Sequence, residues 1–155
     1  MPNDLFHLAA EIIETAKYFD VSLQEIEWDL TDGGKFSRDS EIVLEDNGEE
    51  ITAVVGLRVS SGGSQNGWTI ALLLHQERID GIDFEQRYID YEGNQKSGWH
   101  RHLWDAATKS CKVRKMEVAD LDNVGDLRQF LMIGFSLLGI VLNKADYGNP
   151  ELPLN

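Results

Sequence analysis

From about residue 25 to residue 105, apolar and polar side chains alternate with a period of two, and glycine-containing breaks separate the alternating runs. A period of two is typical of strands that bury one face, so this pattern predicts a series of strands. The pairs Asn47-Gly48 and Asp80-Gly81 each join two such runs, and both favour two-residue hairpin turns. We therefore predict an antiparallel meander of about five strands, drawn from the segments Glu25–Leu30, Glu41–Leu44, Ile51–Ser60, Trp68–Ile79, Ile82–Tyr91 and Trp99–Asp105.

Helical spacing is found on both sides of this region. Between residues 4 and 19, apolar side chains recur every three or four positions, which predicts an N-terminal helix. A longer helix, apolar nearly all round, is expected from Asp120 or Asp122 to about Asn143, and Lys109–Val118 is either a last strand or an irregular connection. We predict an α+β fold with both helices on the apolar face of the sheet, one domain over residues 1–147, and a loose tail over residues 148–155.

A turn at Asp80-Gly81 would determine which side chains share a face of the sheet. It places Arg78 opposite Asp83, and it places His75 and Tyr88 on the more polar face. The opposite face is more apolar and is the expected surface for the helices. It contains Ile70, Leu72, Leu74 and Ile89.

The charge of the chain restricts its partners. The chain has 14 Lys and Arg against 27 Asp and Glu, a formal net charge of -13. Duplex DNA and anionic membranes are recognised by clustered basic residues, so neither is an expected partner. Either the charge only keeps the surface soluble and self-repelling, or it serves to dock a basic partner or to imitate nucleic acid. The longest apolar run, Phe130–Leu142, is too short for a membrane helix, and the single cysteine, Cys111, fits a reducing cytoplasm.

The segment Trp99–Asp105 concentrates the chemistry of the chain, because it holds two of the four histidines. In a strand, His100, His102 and Trp104 point to the same side, where two imidazoles can bind a metal ion or share protons. The register that keeps the imidazoles out of the core sets His100 near Asp90 and His102 near Tyr88.

These positions define a candidate site. His100 and His102 are the candidate ligands of a divalent transition metal, and Asp90 is the candidate third ligand, with His75 or Glu92 behind it. The same residues could act as a metal-free acid–base set, or the histidines could form no more than a hydrogen-bonded surface ladder. The candidate binding residues around them are Trp99, Trp104, Tyr88, Arg101 and His75.

Two functions are compatible with these features. The first is a small, acidic, cytoplasmic interaction or regulatory protein of the bacterial or phage type, which binds another macromolecule and forms a homodimer through Phe130–Leu142. The charge and the absence of a complete catalytic set favour it. The alternative is a metal-dependent hydrolase or nuclease in which His100, His102 and Asp90 carry the catalysis.

Overall fold

A computed structural model describes residues 3–15, 17–19, 26–30, 35–46, 49–60, 67–104 and 113–142. Two α-helices are present in these ranges: α1 (Asn3–Glu14) and α2 (Leu127–Leu137). The strands of the same ranges are β1 (Lys17–Phe19), β2 (Asp29–Leu30), β3 (Lys35–Asp46), β4 (Glu49–Ser60), β5 (Thr69–Leu74), β6 (Glu77–Ile89), β7 (Gln95–Trp104), β8 (Val113–Glu117) and β9 (Ile140–Leu142). The predictions made for Cys111 and for the tail 148–155 lie outside the described residues.

Seven of the strands form one antiparallel sheet in the order β2-β3-β4-β5-β6-β7-β8, in which every strand pairs with its neighbour in sequence. The predicted α+β fold and the meander are therefore confirmed, but the expected number of about five strands is too low. The segment Lys109–Val118 contributes the edge strand β8. The predicted strands Trp68–Ile79 and Ile82–Tyr91 are replaced by a shorter β5, which ends at Leu74, and a longer β6, which begins at Glu77. Strands β1 and β9 pair in parallel as a separate two-stranded sheet, which the sequence pattern did not predict.

The hairpin around Asn47-Gly48 is confirmed by the pairing of the strands that flank it. Asp46 pairs with Glu49 and the ladder then runs back along both strands as far as Lys35 and Ser60. The two residues of the turn itself lie outside the described ranges.

The predicted turn at Asp80-Gly81 is wrong, because the chain turns five residues earlier, at His75 and Gln76. Leu74 pairs with Glu77, and both turn residues have positive φ (50° and 66°), as two-residue type I′ turns require. Asp80 and Gly81 instead lie inside β6. Gly81 is needed there for close approach, since a Cβ at this position would come within 2.6 Å of the backbone oxygen of Ile70.

The apolar face is mostly as predicted. Ile70, Leu72 and Leu74 are fully buried in the core. Ile89 is not, because it is 58% exposed. The ladder between β6 and β7 shifts between Glu85 and Tyr88, where two residues of β6 oppose one residue of β7. Such a bulge moves every later side chain of the strand to the other face, so Tyr88 joins the side of Glu85. Ile89 then lies on the side of Ile82, but it is the last residue of β6 and is exposed there.

Both helices are shorter than the helical spacing predicted. Helix α1 ends at Glu14, and residues 17–19 form β1 instead of continuing the helix. Lys17 is fully buried, and its ammonium donates hydrogen bonds to the carbonyls of Ile12, Ile13 and Thr15. A cation at a helix C-terminus satisfies the last free carbonyls and the negative end of the helix dipole, so Lys17 terminates α1.

Helix α2 begins at Leu127, because the side chain of Asp126 accepts a hydrogen bond from the Gln129 amide and caps the helix. The predicted start at Asp120 or Asp122 is wrong: residues 119–121 form a short 3-10 helix. Gly139, with φ of 68°, ends the helical segment and leads into β9.

Helix α2 is amphipathic, not apolar on all sides. Phe130, Leu131, Gly134 and Phe135 are buried, whereas Ser136 is exposed. The aromatic ring of Phe130 stacks on Trp99 with centroids 4.9 Å apart, so α2 packs on the sheet face that carries Trp99. Of the helices in the described ranges, neither is long and apolar enough to cross a bilayer.

Candidate metal centre on the sheet

The cluster that the structure assembles around the two histidines lies on β6 and β7. Asp83 and Glu85, two residues apart on β6, project to one side of the sheet, and His100 and His102 project to the same side from β7. Asp83 pairs with His100 in the ladder, and Glu85 pairs with Gly98. One ligand-type atom from each of the four side chains lies within 4.8 Å of the other three.

The atoms of this cluster lie close together. The Nε2 atoms of His100 and His102 are 2.8 Å apart, and His102 Nε2 lies 3.0 Å from Asp83 Oδ2. Glu85 Oε1 lies 3.2 Å from His100 Nε2 and 4.0 Å from His102 Nε2. Ligands about 2.0–2.2 Å from a tetrahedral ion lie about 3.3–3.6 Å from one another, and these separations bracket that value.

The ring of His100 is oriented by two neighbours. Its Nδ1 lies 3.2 Å from the carbonyl oxygen of Gly98, which can only accept, so Nδ1 carries the proton and Nε2 presents its lone pair to the cluster. Gly98 has φ of 110°, a conformation that favours glycine. Tyr88 stacks on the imidazole with centroids 4.2 Å apart. A histidine that donates its other N–H to a carbonyl is the usual arrangement of a metal ligand.

The electrostatics favour the neutral form of His100 and the ionised form of Asp83. Burial lowers the pKa of His100, with the hydrogen bond to the Gly98 carbonyl opposing that shift. For Asp83, burial alone would raise the pKa, but hydrogen bonds from His102 and Arg78 hold it well below its usual range. Neutral imidazole and ionised carboxylate are the forms that bind metal ions.

Two cations hold the carboxylates from outside the cluster. Arg78 donates to both oxygens of Asp83, at 3.0 and 3.2 Å. Lys115, from β8, donates to Glu85 at 3.3 Å. The pairing of Arg78 with Asp83 was expected across a hairpin, but it forms within β6. Hydrogen-bonded carboxylates of this kind surround the ligands of metal centres.

The residues predicted from the sequence divide into two groups. His100 and His102 lie side by side in the cluster, and Tyr88 contacts it. The expected register, with His100 near Asp90, is wrong, because His100 pairs with Asp83. Asp90 lies outside the cluster and accepts hydrogen bonds from the amides of Glu92 and Asn94.

The other predicted residues lie elsewhere in the fold. His75 is exposed in the β5–β6 turn. Trp99 packs in the core against Phe130, and Arg101 pairs with Asp80 on the helix-covered side of the sheet. Trp104 is buried near the end of β7, on the alternation of His100 and His102.

Sequence reasoning missed Asp83 and Glu85, although one signal for them exists. Their spacing of two on a strand is the same as that of His100 and His102, so each pair presents two ligands to one side. Only the register between the two strands shows that the four side chains meet.

Comparison with models of known protein families, with curated proteins and with solved structures finds no match to this chain. The residues of the cluster themselves are therefore the basis for inferring its function.

Proposed function

We propose that the chain is a metal-binding protein of the metal-dependent hydrolase class, in which Asp83, Glu85, His100 and His102 surround one divalent transition metal ion. The observation that carries this proposal is the convergence of two imidazole nitrogens and two carboxylate oxygens within 4.8 Å. Mixed nitrogen and oxygen ligands favour Zn²⁺, Co²⁺ or Ni²⁺ over Mg²⁺ and Ca²⁺, which prefer oxygen alone.

The hydrogen bonding of the cluster supports a cation at its centre. With Nδ1 of His100 protonated, its Nε2 lone pair faces Glu85 Oε1 at 3.2 Å, and both atoms are acceptors. Two acceptors at this distance, one of them on a fully buried ring, repel each other unless a proton or a metal ion lies between them. His102 Nε2 lies 2.8 Å from His100 Nε2 and 3.0 Å from Asp83 Oδ2. Because this nitrogen carries at most one proton, it can donate to only one of these two acceptors.

Calorimetric titration of Zn²⁺ into chelator-stripped protein tests this proposal. We expect one ion per chain and an affinity that falls about 100-fold or more in His102→Ala, because a ligand of the ion is lost. His75→Asn, which changes an exposed histidine in the β5–β6 turn, is the matched control and should leave the affinity unchanged. Circular dichroism checks that each variant is folded. Absence of binding by the unaltered protein, or equal affinity in His102→Ala, would show that the cluster is not a metal centre.

A second candidate, an acidic interaction or regulatory protein, is favoured by the net charge of -13. Charge of this size steers association with basic partners and makes it sensitive to salt. Self-association through Phe130–Leu142 would use the side chains of α2 that are only partly buried, which are Met132, Ile133 and Leu137. Together with Asp120 and Ser136, they line a surface cavity of about 520 Å³.

Sedimentation velocity tests the homodimer of this second candidate. If α2 forms the interface, the chain sediments as a dimer and Ile133→Glu converts it to a monomer, because a charge would have to be buried. A monomer at all concentrations would exclude the homodimer, and salt-insensitive binding of every partner recovered from the native host would contradict the role of the charge.

A further inference from the structure

The four residues of the cluster differ in how firmly they are held. His100 is fully buried, and Asp83, 18% exposed, has both oxygens bound by Arg78. Glu85 is 38% exposed, and the cation that holds it among the described residues is Lys115, whose side chain is itself 32% exposed. Solvent therefore reaches the cluster at the side of Glu85, whereas Asp83, His100 and His102 form its less exposed side.

We infer, on the basis of the proposed metal centre, that Asp83, His100 and His102 are the protein ligands of the ion and that Glu85 is a general base for hydrolysis of an anionic ester. Catalytic zinc centres keep three protein ligands and leave the fourth position to water, whereas structural centres use four protein ligands. Glu85 is the residue that fits the base, because it is the most exposed of the four and its Oε1, 3.2 Å from His100 Nε2 and 4.0 Å from His102 Nε2, lies within reach of a water molecule in the fourth position.

The reaction transfers one proton and exchanges one bond. Glu85 accepts a proton from the water molecule in the open position, whose pKa the ion lowers. The resulting hydroxide forms a bond to the phosphorus of the ester, and the bond from phosphorus to the leaving oxygen breaks. Glu85 then returns its proton to the leaving alkoxide or to solvent, which regenerates the starting carboxylate. Lys115 donates to Glu85 Oε1 and thereby positions the base.

Local charge indicates the substrate class. Arg78 and Lys115 already balance the charges of Asp83 and Glu85, so a bound divalent ion leaves the cluster with an excess positive charge. This excess lies within an acidic chain, where it is the feature that attracts an anion. A phosphodiester carries one negative charge and places a phosphoryl oxygen beside the ion, and we infer this class over neutral esters.

Two measurements on the full chain separate this inference from the metal centre itself. The visible absorption spectrum of bound Co²⁺ reports the ligands, and bis(p-nitrophenyl) phosphate reports hydrolysis. We expect Glu85→Gln to keep Co²⁺ affinity within about three-fold and to keep the spectrum, but to lose hydrolysis about 100-fold or more. Glu117→Gln, a change of an exposed glutamate on β8, is the matched control and should alter neither measurement.

The outcomes distinguish the two proposals. Failure of the unaltered chain to bind Co²⁺ overturns both. If Co²⁺ binds but hydrolysis is no faster than with the same concentration of free Co²⁺, the metal centre stands and the hydrolytic inference is overturned. A changed Co²⁺ spectrum or a large loss of affinity in Glu85→Gln shows that Glu85 is a ligand and overturns its role as base. Greater acceleration for neutral p-nitrophenyl acetate than for the phosphodiester overturns the substrate class.

Discussion

Asp80→Ala is expected to lower the free energy of unfolding by about 3–5 kcal/mol, because it leaves the guanidinium of Arg101, which is only 22% exposed, without its partner. Asp80 is fully buried and accepts from Arg101 through both carboxylate oxygens, at 2.8 and 2.7 Å. This hydrogen bonding raises the pKa of Arg101. An arginine keeps its charge even without such a partner, so Asp80→Ala leaves a charged guanidinium behind.

A second buried cation increases the expected effect. Burial lowers the pKa of Lys17, and the charge of Asp80 opposes that shift while the charge of Arg101 adds to it. Without Asp80, the ammonium of Lys17 would lose a favourable charge and keep the unfavourable charge of Arg101. Urea denaturation followed by tryptophan fluorescence measures the loss as a lower midpoint at an unchanged slope.

The matched control is an ion pair of the same length at the surface. Arg58 and Asp39 are 2.8 Å apart, but their side chains are 40% and 55% exposed. Solvent screens such a pair, so Asp39→Ala should change stability by about 0.5 kcal/mol or less. The double change Asp80→Leu with Arg101→Met should restore much of the lost stability, since an apolar pair needs no partner charge. Equal effects of Asp80→Ala and Asp39→Ala would contradict this account.

Phe130→Ala is expected to lower the free energy of unfolding by about 3–5 kcal/mol, because it opens a cavity between α2 and the sheet. Phe130 is fully buried, stacks on Trp99 at 4.9 Å and lies 5.6 Å from the ring of Trp68. The two tryptophans make the change visible as an altered fluorescence spectrum of the folded state. Urea titration at several protein concentrations gives the free energy.

The concentration series separates a core residue from an interface residue. Stability that depends on an intermolecular contact increases with protein concentration, whereas packing within one chain does not. We expect the effect of Phe130→Ala to be independent of concentration. Met132→Ala, two residues further along α2 and only partly buried, should cost less. A loss in Phe130→Ala that disappears at high concentration would place the ring in an interface.

The candidate site shows how much of a site local sequence can predict. The spacing of His100 and His102 was sufficient to place both imidazoles on one side of a strand, because strand alternation is a property of the backbone. Their carboxylate partners were assigned incorrectly. The loop before β7 leaves its register open, and the bulge between Glu85 and Tyr88 changes which residues of β6 face the histidines.

The position of the turn before β6 could not be predicted from local sequence either. Asp80-Gly81 is a better local turn than His75-Gln76, so local propensity favoured the wrong position. The observed turn is the one that sets Asp80 on the helix-covered side of the sheet, where Arg101 from the next strand neutralises it. The bidentate partner of the buried Asp80 is Arg101, 21 positions further along the chain, and no local pattern contains that information.

By itself the sequence determined the class of fold, the strand character of the region between residues 25 and 105, the Asn47-Gly48 hairpin and the common side of the two imidazoles. These features follow from periodicity and turn chemistry, which act between near neighbours in the chain. Only the tertiary structure decided the position of the β5–β6 turn, the ends of the helices and the meeting of Asp83 and Glu85 with His100 and His102. Those features depend on bulges, on register and on buried charges paired across strands, whose energies arise only when distant segments come into contact.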